Sequence, residues 1–379
     1  MHLVLAMSAL LAQAAGAPSQ KEIDDAVKRG VEYLKTAPST GGFLKGNCHD
    51  LILLTLLHGG MSDKNPVFKK LLEEALAGPL EHTYKVALHA MVLEDLDPGI
   101  HQMRIAQCAQ FLIDNQASNG QWSYGKPTDL SKLPVPDKSV ASGGGKDKAP
   151  EKKAVVSFGT ERVKSQPKVW LTLTQQRTTG DGGDNSNSQY ASLGLRACFD
   201  SKIKIPDNVI FLARKWWVEA QFPPDDGAGK DAVISGEGAR AQGWNYKKPG
   251  DGEGGGKPTH AMTAGAVGAC VIYEYMLSRD FRKDKVTKAG VEWLGKNFSV
   301  NTNYYYMYAL ERAGILYDVE SFGGNNWYWK GVPVLLQNQN GDGSWGKRED
   351  KAENTWDTCF AILFLTRATK SVATGGGKR

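Results

Sequence analysis

The chain has little of what most recognisable chemistry requires. It has no HExxH helix, P-loop or serine nucleophile elbow, and its glycine-rich loops lack the strand and partner residues of a dinucleotide or phosphate cradle. Its five cysteines are widely spaced and form no CxxC pair, which argues against a disulfide framework or a zinc finger. Beyond the N-terminal segment there is no apolar run of the roughly 18 residues needed to span a bilayer, so an integral membrane protein is not expected. Runs of β-branched residues alternating with polar ones are also scarce, leaving few strands to predict. The net charge is only +5 and basic residues are mixed with acidic ones, which disfavours a nucleic-acid partner.

What the chain does have is enough apolar sequence for a sizeable core, at 41% hydrophobic residues. The apolar stretch Leu3 to Ala15, with Ala15-Gly16-Ala17 before Pro18, resembles a signal peptide over residues 1–17, although no positive residues precede it. Cleavage there implies export to a periplasm or the exterior. The alternative is an uncleaved hydrophobic N-terminus on a cytoplasmic protein.

Helix-period segments alternate with turn-rich ones from residue 21 onward, so the fold class expected is all-α. Six segments rich in small and apolar residues begin near 47, 82, 185, 260, 301 and 354. Six amphipathic segments with charged faces begin near 21, 64, 101, 206, 282 and 326. A helix apolar nearly all round needs neighbours on most sides, so the first set is expected inside and the second outside. Six such pairs either close into a ring or form an open superhelix. The expected domain runs over residues 18–369, with irregular insertions at 123–168 and 222–259 and a disordered tail at 370–379.

A glutamine, glycine and tryptophan recur at one spacing, as Gln116, Gly120 and Trp122 and again as Gln339, Gly343 and Trp345. Each set follows an apolar helical stretch, and a recurrent helix-ending signal marks repeated helix pairs. Glycine permits the positive φ that stops a helix, the glutamine can bond exposed backbone groups, and the tryptophan can brace neighbouring pairs. Gln242-Gly243-Trp244 is a degenerate version. The motif is therefore read as architecture.

This QxxxGxW motif, Gly341-Asp342-Gly343-Ser344-Trp345 and the alternating helices resemble the prenyltransferase and squalene-oxidase repeat proteins, with short bacterial members most similar. That superfamily includes squalene–hopene cyclases and protein prenyltransferase β subunits. The resemblance covers most of residues 21–369 and implies an (α/α)6 toroid around a central cavity. Class II cyclases of this group protonate an alkene through Asp-x-Asp-Asp, which is missing here; Glu94-Asp95-Leu96-Asp97 is only an approximation. Protein prenyltransferases hold zinc through Asp-x-Cys and a histidine. Asp357-Thr358-Cys359 matches the first element, and in a closed ring the last inner helix would neighbour the first, placing His49, and with it Cys48, as the remaining ligands.

Other polar residues gather at inner-helix starts, where they would surround one mouth of a cavity. They are Asp184, Asn185 and Gln189, then His260, then Tyr304 and Tyr305 with Glu311 further along the same helix. For each of these, helix capping or interhelical bonding is the competing explanation. His82 and His89 lie seven apart without a third ligand. The functional expectation is a non-cyclase toroid scaffold binding an apolar or peptide ligand in its cavity. The alternatives are a zinc-dependent transferase or atypical isoprenoid enzyme, and a purely structural interaction module.

Overall fold

The computed structural model describes residues 17–39, 48–133, 164–180, 182–224, 240–349 and 351–372. The signal-like segment before residue 17, residues 134–163 of the first insertion, residues 225–239 of the second and the tail beyond 372 lie outside the described residues. Among those described, twelve α-helices make up more than half, and the only strands are two pairs of two residues each. The protein is mostly helical, in keeping with the all-α expectation.

The six outer helices are α1 (Gln20–Leu34), α3 (Pro66–Ala77), α5 (Pro98–Asp114), α7 (Asp207–Glu219), α9 (Lys285–Lys296) and α11 (Trp327–Gln337). Between them come α2 (His49–His58), α4 (Thr83–Leu96), α6 (Asn185–Asp200), α8 (His260–Met276), α10 (Tyr304–Tyr317) and α12 (Lys351–Leu365). Burial separates the two sets as their composition requires. Helix α8 buries nearly every residue from Met262 to Glu274, whereas α1 buries only Ile23, Ala26, Val27, Gly30, Val31 and Leu34, one stripe at helical spacing. Starts are capped by side chains that sequence reading can recognise. Ser19 and Glu22 form a capping box on α1, while Asn65 before Pro66 and Asp97 before Pro98 accept from the first turns of α3 and α5. Along the chain, α2 packs on α4, α4 on α6, α6 on α8, α8 on α10 and α10 on α12, and α12 packs on α2. No described helix is long and apolar enough to cross a membrane.

The recurrent motif performs the same work at both copies. The Gln116 amide donates to Val209 O of α7 at 2.8 Å, and the Gln339 amide donates to Ala26 O of α1 at 2.9 Å. Each thereby occupies a carbonyl of the following outer helix. Gly120 (φ +93°) and Gly343 (φ +89°) lie so close to that helix that a Cβ would meet Leu212 O at 2.3 Å or Arg29 O at 2.5 Å, so only glycine fits both the conformation and the space. The indoles of Trp122 and Trp345 are fully buried and donate back to Leu112 O and Leu335 O of the preceding outer helix, at 2.7 and 2.8 Å. Their backbone N–H groups donate forward to Ser188 and Thr358 in the next inner helix. One seven-residue motif therefore ties three helices together.

A third copy is split. Trp244 donates from its backbone to Thr263 Oγ1 at 3.0 Å and from its indole to Trp217 O at 2.8 Å, matching the other two tryptophans. The glutamine of this copy is Gln221, two residues past the end of α7, which donates to Val286 O of α9 at 2.9 Å. Sequence reading pairs Trp244 with Gln242 because the insertion separates Gln221 from its glycine and tryptophan. Gln242 instead donates to Phe222 O.

Candidate functional site

The starts of four inner helices meet at a cavity of about 450 Å³. Helix α4 contributes Tyr84, α6 its N-cap Asp184 with Ser186 and Asn187, and α10 its N-cap Asn303 with Tyr305. Helix α12 contributes Glu353, Trp356, Asp357 and Phe360, at spacings that place 353, 356, 357 and 360 on one face. Connecting segments add Tyr124, Tyr246, Lys247 and Arg348.

Three hydroxyls form one side of this cavity. Tyr305 lies 3.0 Å from Ser186 Oγ and 3.2 Å from the Tyr84 hydroxyl, and Tyr84 and Ser186 also bond each other. Beneath them Gln189 donates to the Tyr305 hydroxyl at 2.6 Å and accepts from Arg312 at 3.0 Å. Arg312 is only 2% exposed. Its guanidinium lies over the rings of Tyr308, at 4.2 Å, and Tyr190, at 5.3 Å, whose negative faces attract it. The floor is therefore a relay from a permanent charge through an amide to a tyrosine hydroxyl, which orients the Tyr305 proton toward Ser186 or Tyr84.

On the opposite wall, burial pushes the Asp357 carboxyl up to about 6, against the pull of Arg348, whose Nε lies 3.3 Å away. Arg348 also pairs with Glu353 at 2.9 Å.

The residues singled out from the sequence divide. Asp184, Tyr305 and Asp357 line the cavity, and Gln189 supports Tyr305 from below. Tyr304 is buried beside Asp357, which raises its hydroxyl pKa further after burial. Asn185 is structural: it donates to Asn245 O at 2.6 Å and accepts from the Trp216 indole at 2.6 Å. His260 at the start of α8 is bonded to Asn297 O at 2.6 Å and edge-on to Trp293 and Tyr306, and it does not line the cavity. His82 and His89 do not converge: His89 bonds Asp50 at 2.7 Å and accepts from Arg104, while His82 sits edge-on to Tyr124.

Glu311 belongs elsewhere. Both its oxygens accept from Thr369, just past α12, at 3.0 Å from the backbone and 2.6 Å from the hydroxyl. The same segment is held by Arg196, which donates to Lys370 O at 2.6 Å, and by Lys370, which pairs with Glu94 and Asp95. Asp95 is thus committed to an ion-pair cluster, completed by His58 and Lys164. These contacts lie toward the inner-helix C-termini, away from the cavity.

Burial pushes the Glu311 carboxyl up to about 7, with Arg312 and Arg367 pulling it down. A folded-state value above the unfolded one means the native protein binds more protons between about pH 4.5 and 7, so this group's contribution to stability falls as pH rises through that window. Glu311→Gln keeps both bonds to Thr369 with one reversed. Urea titrations should show wild type losing about 3 kcal/mol relative to the variant between pH 5 and 8, and parallel pH profiles would contradict the buried-acid assignment.

The four residues considered for zinc are not assembled into a binding group. His49 is engaged with Ser39 at 3.0 Å and Glu74 at 3.5 Å, toward the outer layer, while Asp357 faces the cavity and Arg348. Cys48 and Cys359 are buried, which pushes the Cys48 thiol up to about 12 and the Cys359 thiol well above its ordinary value, Cys48 adding to the rise at Cys359. Among the described residues no three His, Cys, Asp or Glu side chains form a group able to hold a metal ion. Helix α12 does pack beside α2, but His49 and Asp357 point to different surroundings.

Sequence reading missed Tyr84, Trp356 and Phe360 as cavity residues because apolar and aromatic positions of inner helices look alike whether they face neighbours or space. The spacing of Phe360, three residues after Asp357 and four after Trp356, was the available signal. Comparison of the chain with protein-family models and with curated proteins gives no match.

Proposed function

We propose that the chain is an (α/α)6 toroid of the prenyltransferase and squalene-cyclase type, without cyclase activity, that binds an apolar or peptide ligand in its cavity. The contact of α12 with α2, the bond from Gln339 to α1 and the equivalence of the three tryptophan positions support the ring. The observation that carries the binding reading is the cavity itself. At about 450 Å³ it has the size of a small-ligand site, with aromatic walls and a few placed polar groups. Capping alone accounts for Asp184, but not for Trp356, Asp357 and Phe360 facing the same space.

The test is occlusion. Ser186→Trp places an indole into the cavity from a half-buried position at the first turn of α6. Native mass spectrometry and thermal-shift screening with hydrophobic small molecules and short peptides should detect binding to wild type, reduced at least tenfold in the variant at unchanged helical content. Equal binding by both proteins counts against the cavity. Near-stoichiometric zinc in wild type, lost in Asp357→Ala and in Cys359→Ala, would instead favour the transferase.

A further inference from the structure

The wall chemistry narrows the ligand class, a step that rests on the cavity being a ligand site. Its buried polar groups are biased toward accepting. Asn187 is 3% exposed, and its amide nitrogen donates to Asp184 Oδ2 at 2.7 Å, which directs Oδ1 away from that contact. Asn187 Oδ1 has no hydrogen-bond partner, although the residue forms part of the cavity wall. A buried acceptor left unpaired has lost its hydration without compensation, a penalty that a ligand donor would remove. Asp357, 7% exposed, is the second acceptor in the wall.

Around these two stand the rings of Trp356, Phe360, Tyr305 and Tyr84, and π faces attract cations. The two cations that touch the cavity sit in its exposed rim. Arg348, whose side chain is 58% exposed, already occupies Asp357 and Glu353 with its own guanidinium. Arg312 opposes a cation on the hydroxyl floor. Its charge is screened from the cavity by Gln189 and Tyr305 and engaged by two tyrosine rings, so the acceptor wall is the favoured side.

We propose that the cavity recognises a protonated amine, its N–H groups held by Asp357 and the Asn187 carbonyl oxygen and its charge by the neighbouring aromatic faces, with Arg348 occupying the carboxylate when no ligand is bound.

The probes are benzylammonium, benzyl alcohol and phenylacetate, matched in ring and differing in charge, titrated calorimetrically into the full-length protein at pH 8, above the Asp357 value of about 6. The ammonium should bind at least tenfold tighter than the alcohol, with phenylacetate weakest. Asp357→Asn should reduce ammonium affinity to that of the alcohol and leave the alcohol unchanged. Arg348→Gln, at an exposed position that does not endanger folding, should tighten the ammonium severalfold by removing its competitor. Tightest binding of phenylacetate, or weaker ammonium binding in Arg348→Gln, overturns the cationic assignment and leaves the cavity reading standing. If all three probes bind wild type no better than Ser186→Trp, the cavity reading fails and this inference with it.

Discussion

Trp345→Ala should destabilise the protein by about 3–5 kcal/mol, the range for emptying a large buried aromatic site. The side chain is fully buried, and its six-membered ring packs where Gly30 of α1 leaves room, 2.7 Å from the position a Cβ would take. Truncation therefore leaves a cavity that Gly30 cannot fill. It also leaves Leu335 O without its indole donor, a further penalty if the carbonyl stays dry. The site joins α11, α1 and α12, so the loss falls where the two ends of the chain meet. Trp345→Phe should cost less, since it keeps most of the ring and loses the bond. Urea denaturation followed by circular dichroism reads the difference, and a loss below 1 kcal/mol for the alanine variant would show that the motif does not brace the helices.

The architecture was legible because its signals are local and repeated. Burial on all faces distinguishes the sequence of α8 from the striped α1, and the caps at Ser19, Asn65 and Asp97 follow from side-chain chemistry within four residues. The glycine of QxxxGxW is explained by a positive φ and by a close backbone, both of which a motif can encode. The third copy was hidden because an insertion moved Gln221 away from Trp244 without changing what either bonds.

The site was only partly legible. Asp184, Tyr305 and Asp357 could be placed at a cavity mouth because helix starts share one end of the inner layer. Which way a side chain turns once there depends on long-range partners. Glu311 turns to Thr369, 58 residues later, and His49 turns to Ser39 and Glu74. Arg312 sits one residue from Glu311 on the same helix, yet it reaches Gln189 and supports the cavity floor. Neighbouring residues on one inner helix thus serve opposite ends of the molecule.

The second large effect concerns closure. If the six pairs form a ring, α12 and α2 are held together across nearly the whole described chain, and a covalent link between them should stabilise strongly. The Cys359 thiol lies against the Thr55 hydroxyl, which lowers its pKa against the dominant effect of burial. Thr55 is itself fully buried in α2. A disulfide between Thr55→Cys and the native Cys359 would close a loop of roughly 300 residues, for which loop entropy alone gives on the order of 5 kcal/mol. An open superhelix offers no such pair, because its first and last inner helices lie apart.

The most direct measurement is oxidative cross-linking of Thr55→Cys in a Cys48→Ser background, read by non-reducing electrophoresis and by mass spectrometry of the linked peptides. The ring predicts a single intramolecular 55–359 linkage in the folded protein, absent when Cys359 is replaced by serine, together with a raised urea midpoint. Failure of the two thiols to link in folded protein, while both react freely after unfolding, would contradict closure.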